Sequence, residues 1–147
     1  MTPLLEAPPT LVDPASGTRA WFFDEVCTVV DQTVGNMTAE VATFLTGPME
    51  GEVQRRYVRA GKKVRFVHDW RSCATYDAKA REQLIDWGRK SRGHVQQVSV
   101  QLSKDASPFI RIAAATGISV LRVTRMQIEL VDDLRPIIHE LSALTPR

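Results

Sequence analysis

The chain has 147 residues, of which 44% are hydrophobic and 24% are charged, and its formal net charge is +2. That length suits one domain with a proper core, and no apolar run approaches the roughly 20 residues that a membrane-spanning helix requires. The first residues lack a basic segment and are interrupted by prolines, unlike a secretory signal, and the cysteines are far apart, which indicates reduced thiols. We therefore expect a cytoplasmic protein with no membrane span.

Positive charge is concentrated in the middle of the chain. Residues 1–54 contain one basic side chain against eight acidic ones, whereas residues 55–92 contain twelve basic against four acidic. The densest basic stretch carries charges that could neutralise phosphates, and it comprises Arg55, Arg56, Arg59, Lys62, Lys63 and Arg65. No aromatic stacking platform accompanies these charges, and cations also suit the C-terminal end of a helix, so we do not expect nucleic-acid binding.

The N-terminal region predicts a tail followed by a β-hairpin. We expect residues 1–18 to be a flexible tail, since this stretch includes Pro3, Pro8, Pro9 and Pro14. Residues 19–147 are then expected to form a single α/β domain. Within it, the aromatic run Trp21-Phe22-Phe23 predicts a first strand, and residues 26–30 predict a second strand after a tight turn at Asp24-Glu25.

The next stretch predicts a broken helix and then a buried strand. Asn36 or Thr38 can cap a helix that Gly47-Pro48 interrupts, and apolar residues continue at helical spacing until Ala60-Gly61. Residues 63–72 begin with apolar side chains that suit a strand buried on both faces, and then turn polar. The polar half would lie at the carboxyl edge of the sheet, where open α/β sheets bind their ligands.

The second half of the chain alternates helices and strands. Hydrophobic periodicity and cap residues predict a helix from Asp77 to Gly93, a strand over 95–102, a helix over 108–124, a strand over 126–130 and a helix from Asp132-Asp133. Ser107-Pro108 is the start signal of the middle helix, within which residues 118–123 are also compatible with a strand. We prefer the continuous helix. The element order predicts an α/β fold: a mixed, mostly parallel sheet of four to five strands, flanked by about four helices.

No catalytic or metal-binding motif accompanies these elements. His68, His94 and His139 are scattered, and none has a second ligand at the spacing that a metal site requires. Cys73 lies close to Arg71, which could lower its pKa, but no histidine partner is near it in sequence. We therefore expect no catalytic residues, no metal, no cofactor and no enzymatic activity.

Short motifs at the predicted carboxyl edge resemble those of the STAS domain, the sulfate transporter and anti-sigma-factor antagonist family. Asp69-Trp70-Arg71 stands where that family ends its third strand with Asp-Leu-Ser, and Asp77 follows with Tyr76 as the apolar residue before it. The turn 34–38 into the first helix is similar too. The resemblance covers about residues 19–144 and implies a STAS-like fold that serves as a regulatory interaction module.

The chain departs from the family at the residue that carries its regulation. The family's phosphoserine follows the second Asp, and this position is Ala78 here; the glycine two residues further on is Ala80. Alanine has no hydroxyl, so phosphorylation at this site cannot add its charge of about −2. The chain thus resembles the divergent STAS-like branch that includes lone bacterial proteins. Ser72 and Thr75 have two possible roles: they are substitute phosphorylation sites, or they are turn residues that form hydrogen bonds.

Two functions follow as expectations. The first is a non-enzymatic protein–protein interaction module, with a protein partner and with a homodimer left open, whose partner surface consists of Asp69, Trp70, Arg71, Ser72, Thr75, Tyr76 and Asp77. The alternative is a binder of a small anionic or lipid ligand in a pocket between a helix and the sheet. An apolar pocket with Arg71 at its mouth would favour the ligand, whereas a flat face would favour the partner.

Overall fold

The computed structural model describes residues 4–104, 106, 108–123 and 125–147. Within these residues one sheet contains six strands: β1 (Leu11–Val12), β2 (Arg19–Phe23), β3 (Thr28–Gln32), β4 (Val64–Trp70), β5 (Val95–Leu102) and β6 (Ile128–Leu130). The α-helices of the same residues are α1 (Ala39–Phe44), α2 (Glu50–Arg56), α3 (Ala78–Ser91), α4 (Pro108–Val123) and α5 (Arg135–Ser142).

The strands lie side by side in chain order. β1, β2 and β3 pair antiparallel, and β3, β4, β5 and β6 pair parallel. Each parallel pair is joined by a helical crossover, because a chain must return to the same end of the sheet to start the next parallel strand. The predicted α/β fold with a mostly parallel sheet is confirmed, but the described residues contain six strands rather than four to five.

The additional strand is β1, in the stretch predicted to stay outside the sheet. Leu11 pairs with Ala20 and Val12 with Arg19. The preceding residues also contact the sheet, since Leu5 is only 4% exposed and the Trp21 Nε1–H donates to the Ala7 carbonyl at 2.8 Å. Residues 11 and 12 of the predicted tail thus belong to the sheet, which is possible because none of the prolines occupies either paired position of this short edge strand.

The start signals of α1 and α3 behave as predicted, whereas α5 begins at Arg135 rather than directly at Asp132-Asp133. Thr38 caps α1, with its Oγ1 accepting from the Val41 amide at 3.2 Å, and Asp77 caps α3 by accepting from the Lys79 amide at 2.9 Å. Gly47-Pro48 lies in a π-helical turn, Leu45–Met49, that joins α1 to α2. The proline lacks an amide hydrogen, so the helix is interrupted there without ending. The predicted cap Ser107 lies outside the described residues.

Alternation along the strands assigns side chains to two different layers. Phe22, Val29 and Phe66 pack in the core beneath α1 to α4, whereas their neighbours Trp21, Val30 and Val67 pack against α5 through Leu134 and Leu141. Successive strand residues point to opposite faces, so every second residue of β2, β3 and β4 enters the same layer. The candidate functional residues of β3 and β4 are divided between the two layers by the same rule.

Candidate functional site

The seven residues predicted to form a partner surface differ widely in exposure. Arg71, Thr75 and Asp77 are exposed, and Ser72 and Tyr76 are half-buried. Asp69 is 1% exposed and Trp70 is 7% exposed. β4 continues through Trp70, so its indole lies in the layer under the helices and not at the tip of a loop. The residue expected to anchor a partner is therefore inside the protein.

Two loops at the carboxyl edge of the sheet, 33–38 and 71–77, are joined by hydrogen bonds. The Met37 amide donates to the Thr75 carbonyl at 3.1 Å, and the Asp77 amide donates to the Met37 carbonyl at 2.9 Å. The Thr75 amide donates to Asn36 Oδ1 at 3.1 Å, and the Ser72 hydroxyl donates to the Thr33 carbonyl at 2.6 Å. These bonds hold both loops in one arrangement, and they give Ser72 the turn role that the sequence left open.

The buried carboxylate of Asp69 fixes the position of Arg71 at this edge through hydrogen bonds. Its Oδ1 accepts from the Arg71 amide at 3.3 Å and from Arg71 Nε at 2.7 Å, and its Oδ2 accepts from Arg71 Nη2 at 2.9 Å. Gln32 Nε2 donates to the same Oδ2 at 3.0 Å. The hydrogen bond to Asp69 raises the pKa of the Arg71 guanidinium above its ordinary value. Arg71 is thus held as a fixed positive charge.

A second group of polar side chains lies on the other face of β3 and β4, in the layer covered by α1 to α4. Asp31 of β3 is 0% exposed and is paired in register with His68 of β4, which is 5% exposed. His68 Nδ1 contacts Asp31 Oδ2 directly, and the Trp70 Nε1–H donates to Asp31 Oδ1 at 3.3 Å. Both carboxylate oxygens therefore have a partner, as a buried carboxylate requires.

The imidazole of His68 is fixed by aromatic neighbours. Its ring stacks on Trp70 at a centroid distance of 4.9 Å and on Phe66 at 6.1 Å. Trp87 of α3 contacts Phe66 edge-on at 5.0 Å, and Tyr76 lies 6.2 Å from Trp70. Stacking sets the plane of the ring and Asp31 sets its rotation, so the remaining nitrogen, Nε2, has a defined direction.

That ring borders a cavity of about 50 Å³ between α3, α4 and the sheet. The walls are almost entirely apolar and include Trp70, Trp87, Val100 and Ile118. Burial raises the pKa of the Tyr76 hydroxyl, so this wall residue remains neutral. In the part of the chain that the structure describes, no group donates to or accepts from His68 Nε2. The polar side chains that line the cavity are therefore His68 and the neutral Tyr76, and the other lining residues are mostly apolar.

Sequence reasoning missed this site because its polar members lie 37 residues apart. Nothing in the sequence distinguishes His68 from the other two histidines or pairs it with Asp31. One signal was available: Asp31 directly follows the apolar pair Val29-Val30 in β3, and a carboxylate that is buried with such a strand requires a partner.

Arg71 does not lie at the mouth of the cavity. It lines a separate polar cleft with Lys104, Asp133 and Arg135, among others. Of the two features expected for a ligand-binding pocket, the apolar walls are present and the arginine is elsewhere. The charge predicted at the pocket entrance thus belongs to the edge loops.

Two other candidates have ordinary structural surroundings. Arg55 and Arg56 of the basic stretch form ion pairs with Glu52 at 2.6 and 3.0 Å, which neutralises part of that charge. Cys73 is buried, and desolvation raises the pKa of its thiol to about 11. The hypothesis that the pKa of Cys73 is lowered is wrong, because desolvation outweighs the other effects, and the Arg71 guanidinium is bound to Asp69.

Across residues 4–104, 106, 108–123 and 125–147, no three His, Cys, Asp or Glu side chains are grouped so as to hold a metal ion. The same residues include no helix with the length and apolarity needed to cross a membrane. Comparison of the chain with known protein families, curated proteins and solved structures finds no match. The resemblance to the STAS family stays a prediction.

Proposed function

We propose that this protein binds a small, mainly apolar molecule in the cavity between α3, α4 and the sheet. The observation that carries the proposal is His68: its ring lines the cavity, Asp31 engages Nδ1, and Nε2 has no partner among the described residues. This nitrogen keeps accessible surface, because it is not among the fully buried side-chain atoms that lack a partner. A bound molecule would supply the partner that the described residues do not.

The shape of the site supports this proposal. Binding sites for small molecules are concave, mostly apolar and equipped with few polar groups that orient the ligand. The cavity volume of about 50 Å³ exceeds the roughly 10–15 Å³ that one water molecule needs. It is nevertheless small, so it would receive one end of a ligand. The remainder would extend past β6, where Leu130 is exposed.

Xenon is a suitable first probe, because it enters apolar cavities without forming hydrogen bonds. We expect xenon to shift the indole Nε1–H resonances of Trp70 and Trp87, which line the cavity, in ¹H–¹⁵N spectra. The resonance of Trp21 should stay unchanged, since this residue packs in the opposite layer. The Ala114→Leu variant should abolish the shifts by filling the cavity.

Ala115→Leu is the matched control, because the same substitution falls on the exposed side of α4. Equal xenon shifts in Ala114→Leu and Ala115→Leu would refute the cavity as the site. Absence of any shift in the wild-type protein would refute the proposed function.

A second candidate function is a STAS-like interaction module that phosphorylation at position 78 does not switch. It is favoured by the joined loops 33–38 and 71–77, which present Arg71, Thr75 and Asp77 in a fixed arrangement. Fixed side chains lose little entropy on binding, and arginine is among the residues that most often dominate interface energetics. Its partner surface would exclude Trp70, which is buried.

Affinity capture from the source cell tests this candidate. The Arg71→Ala variant should no longer capture a protein that the wild type captures. The Arg135→Ala variant should still capture it; Arg135 is the matched control, because it is also exposed and also pairs with an aspartate two residues away. Identical captured proteins from wild type and Arg71→Ala would contradict the interaction surface.

A further inference from the structure

We infer that the ligand of this cavity is a neutral alcohol whose hydroxyl group hydrogen-bonds to His68 Nε2. This inference rests on the proposed function and adds the chemical class of the ligand. Of the two ligand classes that the sequence suggested, anionic and lipid, it replaces the anionic one.

His68 can form one further hydrogen bond, through Nε2. Asp31 engages Nδ1, and Trp70 occupies the second oxygen of the same carboxylate, so the ring cannot turn without breaking a buried contact. Nε2 accepts a hydrogen bond when the imidazole is neutral and donates one when the imidazole is protonated. A hydroxyl group both donates and accepts, so it satisfies Nε2 in either state.

The lining of the cavity carries no permanently charged side chain. None of the side chains that line the cavity belongs to Lys, Arg, Asp or Glu, and the carboxylate that contacts His68, that of Asp31, is already paired. An anionic ligand would bring its charge close to Asp31 with no arginine or lysine to balance it. Transfer of an uncompensated charge into apolar surroundings is strongly unfavourable. The cavity therefore selects a neutral polar group.

The apolar walls of the cavity would contact the rest of the ligand. Trp70 and Trp87 form aromatic walls, and Ala114, Ile118 and Leu121 of α4 form an aliphatic wall. These surfaces offer contact area without hydrogen-bonding groups, since the Trp70 Nε1–H donates to Asp31 and the Trp87 Nε1–H to Glu50 at 2.9 Å. An alkyl chain that carries a terminal hydroxyl fits both the walls and the narrow volume.

The test compares 1-hexanol, hexanoate and hexylammonium, which share an alkyl chain and differ in the terminal group. Each is titrated into ¹⁵N-labelled full-length protein, and the Trp70 and Trp87 indole resonances are followed with Trp21 as internal control. We expect 1-hexanol to bind about tenfold more tightly than either ion, because each ion would place an uncompensated charge against apolar walls. Long-range ¹H–¹⁵N spectra should show a shift at His68 Nε2 and none at the exposed His139.

Variants separate the hydroxyl contact from the apolar cavity. The double variant Asp31→Asn, His68→Phe should keep the xenon response and lose the preference for 1-hexanol. If that variant fails to fold, the wild-type titrations and the His68 spectra decide the question alone. Equal affinity for 1-hexanol and hexanoate would overturn the inference, and so would an unshifted His68 Nε2 resonance. In either case, a positive xenon response would still support the proposed function. Absence of both responses would overturn both.

Discussion

Replacing Asp69 by alanine should destabilise the protein by about 3 kcal/mol, whereas the same change at Asp133 should have little effect. The two aspartates form the same local arrangement with an arginine two residues later. Asp69 binds the amide and side chain of Arg71, and Asp133 binds the amide and side chain of Arg135, at distances of 2.7–3.3 Å and 2.8–3.0 Å respectively. The two pairs differ in burial, and this difference is the basis of the prediction.

The magnitude follows from what surrounds each carboxylate. The Asp69 side chain is 1% exposed and also accepts from Gln32, whereas the Asp133 side chain is 39% exposed. Breaking a buried ion pair costs roughly 3–5 kcal/mol. We take the lower end because the Arg71 side chain is 41% exposed, so water can solvate the freed guanidinium. Exposed pairs such as Asp133–Arg135 contribute little, because solvent screens them.

Urea denaturation followed by far-UV circular dichroism measures both variants by linear extrapolation. In a thermal scan, the loss at Asp69 corresponds to a decrease in Tm of roughly 6–12 °C for a chain of this size. Asp69→Asn should lie between Ala and wild type, because it retains one acceptor oxygen and removes the charge. Equal unfolding midpoints for Asp69→Ala and Asp133→Ala would refute the argument that burial decides the contribution.

Two further predictions concern the N-terminus and the cysteines. Deleting residues 1–13 should lower Tm by several degrees, because it exposes the layer that Leu5 covers and removes β1; an unchanged Tm would show that these contacts contribute nothing. Cys73 should resist alkylation by iodoacetamide at pH 8 in the folded protein, because its raised pKa of about 11 keeps the thiol protonated below that pH. The partly exposed Cys27 is the internal reference, and both thiols should react in urea. Faster native modification of Cys73 than of Cys27, read by peptide mass spectrometry, would contradict this prediction.

The site itself was only partly predictable. The polar character of the edge follows from the sequence, but the partners of its side chains do not: Asp69 binds the Arg71 amide, whereas Ser72 donates to the Thr33 carbonyl. The sequence shows that a polar segment follows a buried strand. It does not show where the strand ends, and this end decides whether Trp70 lies on a loop or in the core.

What the sequence by itself determined is local. Thr38 and Asp77 predicted two helix starts, and Gly47-Pro48 predicted an interruption, because caps and prolines act on backbone groups within one helical turn. Hydrophobic periodicity likewise predicted the helices and strands from Arg19 onward. Their order limited the architecture to α/β, because parallel strands need helical crossovers.

Only the tertiary structure decided which distant side chains meet. The parallel register of β3 and β4 places Asp31 beside His68, and one residue of slip would have sent Asp31 to the other face. Packing of α3 and α4 against that face then left a cavity where Nε2 of His68 finds no partner among the described residues. Register and packing depend on all the strands and helices together, so no local pattern in the chain specifies them.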